Sequence, residues 1–245
     1  MELAGHSVLV TGGASGIGSA IAARFLQAGS EVLICGRRAD KLREAQARHP
    51  RLRTHVCDVE DPAARVALLE WAVQESPALD VLVNNAGIQQ RIDLTQGPQW
   101  QHMQREIAIN LEAPVHLATL FIPHLRKQKS PAIVNVTSGL AFMPLANVPI
   151  YCATKAAMHS FTLSLRHQLR DTPIRVVELI PPAVDTDLGG PGLHTWGVPL
   201  DEFADAAFAG LRTDDDREIA YQFSAQSSRA SREQLDEMFK RMNQG

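Results

Sequence analysis

The chain is poor in the residues that staple, chelate or anchor a protein. Only three of its 245 residues are cysteine, and Cys35, Cys57 and Cys152 form an odd set with no C-x-x-C spacing. A disulfide framework and a cysteine zinc site are thereby excluded as organising devices, and each thiol is expected to be a small buried or half-buried side chain. His102, His116 and His124 have no carboxylate partner at ligand spacing, so no metal is assigned. No run of 18 apolar residues reads as a membrane span. Met1-Glu2-Leu3-Ala4-Gly5-His6 has no basic stretch leading into an apolar one, so no signal peptide is expected. Neither sign of charge dominates: 24 Lys+Arg against 27 Asp+Glu leave a formal net charge of -3, which gives no general attraction for nucleic acid or an anionic membrane. The setting expected from these absences is soluble and cytoplasmic, with a small molecule as partner.

What is present is globular. Hydrophobic residues make up 45% and charged residues 21% of the chain, values of an ordinary folded domain, and the length suits one large domain with a substantial core. Short apolar runs at 8–10, 31–35, 54–57, 79–83, 132–136 and 174–179 read as strands. Between them the composition reads as helix over 17–27, 39–48, 62–74, 100–121 and 151–170, with Pro114 expected to perturb the fourth. Apolar strands alternating with helices imply a parallel sheet covered on both faces. No repeat, low-complexity segment or linker interrupts residues 1–245, so the expected fold is α/β, a single-domain, Rossmann-type, doubly wound parallel sheet with helices on both faces. Beyond residue 179 the pattern weakens: a glycine-rich loop at 189–197, a helix over 200–211, a solvated turn at 213–216, a strand over 218–223 and a terminal helix over 232–242.

Ligands of such sheets bind beyond the carboxyl ends of the strands, and the unusual residues cluster there. The first strand runs into Thr11-Gly12-Gly13-Ala14-Ser15-Gly16-Ile17-Gly18, a glycine turn that opens a helix. Backbone N–H groups and the positive end of the helix dipole make that corner a phosphate site. Gly36 lies eighteen residues after Gly18, where an NAD site places an acid on the ribose 2′-hydroxyl. Arg37 and Arg38 stand there instead. A guanidinium suits a 2′-phosphate by charge and by geometry, so NADP(H) is preferred, with NAD(H) the alternative; Arg37, first after the strand, is favoured for the contact.

Tyr151 and Lys155 are four apart on a helix and share a face. A neighbouring ammonium favours the phenolate and should lower the tyrosine pKa toward a useful range. Ser138, thirteen residues before Tyr151, ends a strand and could hydrogen-bond a substrate oxygen. A lone Y-x-x-x-K is usually an exposed helix pair; its conjunction with the glycine corner and the strand-end serine is what carries meaning.

Taken together, Thr11 to Gly18, Asp58-Val59, Asn84-Asn85-Ala86-Gly87, Asn110, Ser138, Tyr151/Lys155 and Pro181 to Thr186 closely resemble the short-chain dehydrogenases/reductases, over residues 4–223. That resemblance implies an NAD(P)(H)-dependent oxidoreductase interconverting a carbonyl and a secondary alcohol. It implies Tyr151 as acid/base, Lys155 as the group that lowers its pKa and holds the nicotinamide ribose, Ser138 as the orienting hydroxyl, and Asn110 as holder of a relay water. It also implies that Gly12, Ser15, Gly16, Ile17 and Gly18 hold the pyrophosphate, that Asp58 and Val59 meet the adenine, and that Asn85, Ala86 and Gly87 shape the cleft. Pro181, Val184 and Thr186 would meet the nicotinamide end. Two departures stand out. The usual Pro-Gly after the sixth strand is Pro181-Pro182 here, and Ser15 occupies a position where NADP-preferring members often carry a basic residue. The run Pro181 to Thr186 and the tail from Ala230 resemble the DltE-like branch.

The substrate wall is expected from residues 140–150 and 188–203, through Leu140, Phe142, Met143, Leu145, Leu193 and Trp196, and is largely apolar; neither segment carries Lys or Arg. The glycines of 189–197 would let residues 186–245 supply a lid. Two competing functions are an acyl-carrier-linked 3-oxoacyl reductase, docking on Arg126-Lys127-Gln128-Lys129, and a non-catalytic NADP(H) sensor. Family members pair through the helices here at 100–121 and 151–170, which implies a homodimer or homotetramer. His159 and His167 are expected to pack or face solvent, and Cys152 to point away from the tyrosine.

Overall fold

The computed structural model describes residues 3–97, 99–213 and 217–244. Its strands are β1 (Ser7–Thr11), β2 (Glu31–Gly36), β3 (Arg53–Val56), β4 (Val81–Asn84), β5 (Ala132–Val136), β6 (Arg175–Ile180) and β7 (Glu218–Ala220). They form one sheet in the order β3-β2-β1-β4-β5-β6-β7, every pair parallel. The central strands are buried on both faces, which is why they read as continuous apolar runs. Val8 and Val10 of β1 face one layer, with Phe25, Phe203 and Phe208. Leu9 faces the other, with Leu68, Leu117, Phe121 and Leu165.

The first layer is built from α1 (Gly16–Gln27), α2 (Ala39–Arg48) and α7 (Leu200–Arg212); the second from α3 (Pro62–Glu75), α5 (Ala113–Leu125) and α6 (Pro149–Gln168), with α4 (Trp100–Ile107) leading into α5. Two short helices, α8 (Phe223–Ser227) and α9 (Arg232–Met242), close the chain. From β1 the chain winds outward in both directions, so the crevice lies at the carboxyl ends of β1 and β4. No helix among the described residues is long and apolar enough to cross a membrane.

Two expectations need correction, and a third falls largely outside the described residues. The helix over 100–121 is not continuous and runs on to Leu125: a π-helical turn, Ala108–Glu112, separates α4 from α5. Pro114 falls in the first turn of α5, where a missing N–H is tolerated, and the wider turn before it absorbs the break. The last strand stops at Ala220, because Gln222 adopts φ 47° and turns the chain into α8. Of the turn at 213–216, residues 214–216 lie outside the described residues.

The second apolar layer depends on large side chains with no exposed surface. Phe121 is 0% exposed, and Phe121→Ala is expected to cost about 3–5 kcal/mol. Chemical denaturation of the two proteins measures it directly.

Candidate active site

The glycine corner joins β1 to α1, and its shape is set by contacts that leave no room for side chains. Gly12 has φ +65°, and a Cβ there would come within 2.9 Å of the Ala86 Cα. A Cβ on Gly18 would sit 2.4 Å from Asn85 Nδ2 and 2.6 Å from the Gly12 carbonyl. Thr11 latches the corner to β4: its hydroxyl accepts from the N–H groups of Asn85 and Ala86, each at 3.0 Å, while Asn85 Nδ2 donates to the Thr11 carbonyl at 2.9 Å. Ser15, the N-cap of α1, makes no side-chain capping bond, so no cap competes for the first-turn N–H groups.

Beyond β2, Arg37 and Arg38 are both exposed. It is Arg38 whose guanidinium reaches back over the corner, donating to Ser15 Oγ at 3.2 Å. Asp58 turns its carboxylate onto the Glu60 N–H at 3.1 Å, and Val59 is buried.

Tyr151 and Lys155 lie one turn apart on α6, both buried. The Lys155 ammonium stands 5.6 Å from the Tyr151 ring centroid and donates to the Val136 carbonyl at 2.8 Å. Ser138, at the end of β5, stands near enough to the Tyr151 phenol to favour its phenolate and accepts from the Leu140 N–H at 3.1 Å. Burial draws Lys155 down to about 8, opposed by the charges of Glu106 and Glu178. Burial also pushes the Tyr151 phenol well up, opposed mainly by the Ser138 hydroxyl. The expectation that the ammonium leaves this tyrosine with a lowered pKa is therefore corrected: desolvation of a phenolate in a dry site outweighs the neighbouring charge.

Asn110 sits inside the π-helical turn and is 1% exposed. Its Oδ1 accepts from the Ile88 N–H at 2.9 Å, and its Nδ2 donates to the Ile88 carbonyl at 2.8 Å and to Thr154 at 3.4 Å. The side chain is thus occupied in clamping the segment after β4, and Pro114 has no N–H with which to close an α-helical bond onto the Asn110 carbonyl.

One cleft of about 1270 Å³ gathers nearly all of these groups, more than the ~300–1,000 Å³ of a pocket for one small ligand and enough for a dinucleotide beside a substrate. It is lined by Gly12, Ser15, Gly16, Ile17, Arg37, Arg38, Asp58, Val59, Asn85, Ala86, Gly87, Ser138, Tyr151, Lys155, Pro181, Val184 and Thr186. Gly18 and Asn110 stand behind this lining: Gly18 packs the corner and Asn110 braces the wall. The Pro181 carbonyl accepts from the Gly139 N–H at 2.9 Å, and Val184 pairs with Val198, so the excursion between them is pinned at its base. Within it Gly189 and Gly192 take φ of +79° and +76°.

The substrate end departs from expectation. Leu140, Leu145, Leu193 and Trp196 line the cleft. Phe142 instead packs edge-on against His159, with ring centroids 4.6 Å apart, and Met143 is 0% exposed. Arg91 and Arg105 also line the cleft, with Gln89 and Gln90, so it is less uniformly apolar than segments 140–150 and 188–203 imply. His159 packs on Phe142 and is partly exposed, as expected, but it is also paired: its Nδ1 is 2.9 Å from Glu178 Oε2, which favours its cation. A carboxylate inside the apolar run Val176-Val177-Glu178-Leu179-Ile180 was the signal for this pair. Glu106, 0% exposed on α4, gave no such signal, because it follows Gln104 and Arg105 in a helix that reads as solvated. All three cysteines are free and buried, and the Cys152 thiol accepts from the Leu145 N–H at 3.3 Å.

The tail also reaches the site. Met242 lines the cleft, and the Asn243 side chain accepts from the Ala146 N–H at 2.6 Å and donates to the Pro144 carbonyl at 3.3 Å.

Known proteins share this arrangement. The family model described as short chain dehydrogenase matches residues 6–193. The uncharacterized oxidoreductase DltE of Bacillus subtilis is 48% identical over 249 residues, covering 99% of this chain and 98% of the relative. The chain belongs to the short-chain dehydrogenase family. Within that family it is DltE-like, over nearly its full length. Among solved structures, a short-chain dehydrogenase from Sphingobium yanoikuyae in complex with NADPH superposes with a TM-score of 0.77 at 29% identity, covering 88% of this chain and 86% of its own. A 3-ketoacyl-(acyl-carrier-protein) reductase from Brucella melitensis complexed with NADH gives 0.80 at 28%, covering 89% and 97%.

The tail contact predicts its own test. Asn243→Ala removes two hydrogen bonds between α9 and the loop over 144–146, a loss of about 1–2 kcal/mol. Hydrogen exchange of the Ala146 amide is expected to quicken roughly 5–30-fold, with the sheet amides unchanged.

Proposed function

We propose that this chain is an NAD(P)(H)-dependent oxidoreductase that interconverts a carbonyl group and a secondary alcohol, its proton handled by Tyr151. The supporting observation is the buried cluster of Tyr151, Lys155 and Ser138 at the floor of a cleft whose other end is a glycine corner. The residues present fit a nicotinamide dinucleotide: positive-φ glycines and uncapped N–H groups lie where a pyrophosphate is held. Gly12, Ser15, Gly16, Ile17 and Gly18 form that corner, Asp58 and Val59 the adenine wall, Asn85, Ala86 and Gly87 the floor, and Pro181, Val184 and Thr186 the nicotinamide end. When bound, the cofactor supplies or accepts the hydride.

The protein supplies position and protons. Ser138 and Tyr151 place two hydroxyl groups on one substrate oxygen, and burial keeps the phenol protonated at neutral pH, the form needed to donate in reduction. Lys155 stands next to the phenol, ready to stabilise the phenolate left behind. Asn110 steadies the wall beside Lys155, and its carbonyl is the main-chain acceptor available to a relay water. Within a single NAD(P)-binding domain spanning residues 1–245, the segment 186–245 forms the substrate side, a lid hinged at its glycines and backed by α9. The substrate is a small molecule whose largely apolar body meets Leu140, Leu145, Leu193, Trp196 and Met242. Copies of the chain associate through α4–α5 and α6 as a homodimer or homotetramer.

Arg37 and Arg38 support NADP(H) over NAD(H), since Arg38 brings to Ser15 the positive charge that Ser15 itself lacks. A sensor without turnover leaves the phenol, ammonium and serine in one cluster unexplained.

Two measurements test the reading. Tyr151→Phe should abolish reduction of carbonyl compounds in an NADPH absorbance assay while NADPH still quenches protein fluorescence; normal turnover would sink the mechanism. Replacing both Arg37 and Arg38 by Ala should raise KM for NADPH by roughly 10–100-fold, the loss of one or two charge-assisted hydrogen bonds, and leave KM for NADH nearly unchanged. Wild-type turnover faster with NADH would overturn the cofactor preference.

A further inference from the structure

The substrate side of the cleft carries a charge that the steps above do not use. A recess of about 320 Å³ adjoins the cleft, lined by Gln89, Gln90, Arg91, Gly189, Leu193 and His194, all of which also line the cleft itself. The segment after β4 supplies the first three residues, and the glycine-rich loop supplies the others. The two stretches meet closely. Gly189 takes φ +79°, and a Cβ there would come within 3.3 Å of the Gln89 carbonyl and 3.4 Å of Gln89 Oε1, so a residue without a side chain suits both the left-handed backbone and the close approach.

The recess holds one arginine and no acid. The Arg91 side chain makes no ion pair or hydrogen bond among the described residues. Other cations of the cleft are committed: Arg105 pairs with Glu60 at 2.9 Å, Arg38 reaches Ser15 in the phosphate corner, and Lys155 is held on the Val136 carbonyl. Asp185 and Asp187 line the cleft but not the recess. The backbone on either side of Arg91 is pinned. Gln90 is bound to Glu106 and to the His102 carbonyl, and Ile92, 4% exposed, donates its N–H to the Asn147 carbonyl at 3.1 Å. A guanidinium on a fixed backbone has less freedom to lose when it grips a ligand. From the loop, His194 Nδ1 is buried and has no hydrogen-bond partner among the described residues, a costly state for a polar nitrogen until a ligand oxygen meets it.

We propose that this recess binds a carboxylate, so that the substrate is an oxo acid or the matching hydroxy acid. The inference rests on the carbonyl-reducing function proposed above and names the substrate class for it. The apolar body of the substrate lies along Leu140, Leu145 and Leu193, and Arg91 takes the carboxylate, with His194 and Gln89 as further donors. A carboxylate matches the recess better than a phosphate. Arg91 offers a single positive charge to a single negative one and a planar fork to two coplanar oxygens, whereas a phosphate near its full charge would be left partly unmatched. The charge comes from the segment after β4, and not from the two apolar segments that make the rest of the wall. Arg91 takes no part in hydride or proton transfer; it sets specificity.

The test uses NADPH-dependent reduction of medium-chain oxo acids and their methyl esters, on wild type, Arg91→Ala and Arg91→Lys, with melting temperatures to confirm folding. Each acid and its ester share a carbonyl and an apolar body and differ by one charge. Wild type should favour the acids by roughly 10–100-fold in kcat/KM, as expected of a charge-assisted bidentate contact, and added salt should shrink the preference. Arg91→Ala should erase it, chiefly through a higher KM for the acids. Arg91→Lys should keep part of it, since lysine returns the charge without the fork. A wild type that reduces the esters as well as the acids, or an Arg91→Ala protein that keeps the acid preference, would overturn the recess. Calorimetric titration with octanoate and octanol separates the recess from the reaction. Octanoate that binds wild type more tightly than octanol does, and loses that advantage in Arg91→Ala, in a protein that reduces no carbonyl, would count for the recess and against the proposed function. Failure of octanoate to bind wild type would count against the recess whatever the turnover.

Discussion

An ammonium kept out of water is the constraint to which the rest of the site is fitted. Lys155 is 5% exposed, and desolvating a charged group is costly unless its surroundings compensate. The compensation comes from separate parts of the chain: a carbonyl at the end of β5, a carboxylate in β6 and a carboxyl on α4. The parallel register sets β5 against β6 with Asn135 opposite Glu178 and Val136 opposite Leu179. A slip of one residue would turn Glu178 to the other face of the sheet and leave the lysine without one of its counter-charges. Sheet register and the charge state of one side chain are the same question here.

Holding those groups in register falls to a set of short polar side chains at the strand ends. Asn84 donates to Asn135 at 2.9 Å, and Asn135 donates to Thr162 of α6 at 2.9 Å, tying β4, β5 and α6 through a buried amide ladder. Thr11 and Asn85 tie β1 to β4, and Asn110 ties the π-helical turn to Ile88. Each bond contributes only about 0.5–1.5 kcal/mol net, but leaving one buried partner unmatched costs as much or more, so the ladder selects one arrangement over its near neighbours.

The residues recoverable from the sequence are those whose meaning is local. The glycine spacing of the corner, Tyr151 and Lys155 one turn apart, and apolar runs broken at regular intervals are visible within short windows, and they led to the sheet, its two covered faces and most of the cleft lining. What escaped depends on distant partners or on side-chain direction. Asn243 meets Ala146 across 97 residues. Phe142 and Met143 lie in a segment rightly placed at the cleft yet turn inward to His159 and the core, because the 3-10 turn Gly139–Ala141 redirects the chain. Glu106 looks like any exposed glutamate until α4 is docked. The phenol pKa was misjudged for a related reason: helical spacing shows the ammonium, while the desolvation that outweighs it belongs to the packed pocket.

Pro114 links these observations. Its ring cannot donate to the carbonyl four residues earlier, which is that of Asn110, and the chain answers with a π-helical turn in which the Ala113 N–H bonds Ala108. Proline's cost inside a regular helix, ~3 kcal/mol or more, falls away once the widened turn ends and α5 begins at Ala113. The widening leaves Asn110 on the wall beside Gly87 and lets its side chain grip both polar groups of Ile88. One turn earlier, Glu106 holds the Gln90 N–H, and the His102 main-chain carbonyl, one turn before that, accepts from the Gln90 side chain at 2.8 Å. The segment after β4 is therefore gripped repeatedly by one stretch of helix. A proline that appears in the sequence only as a helix defect is what places the Asn110 clamp against that segment.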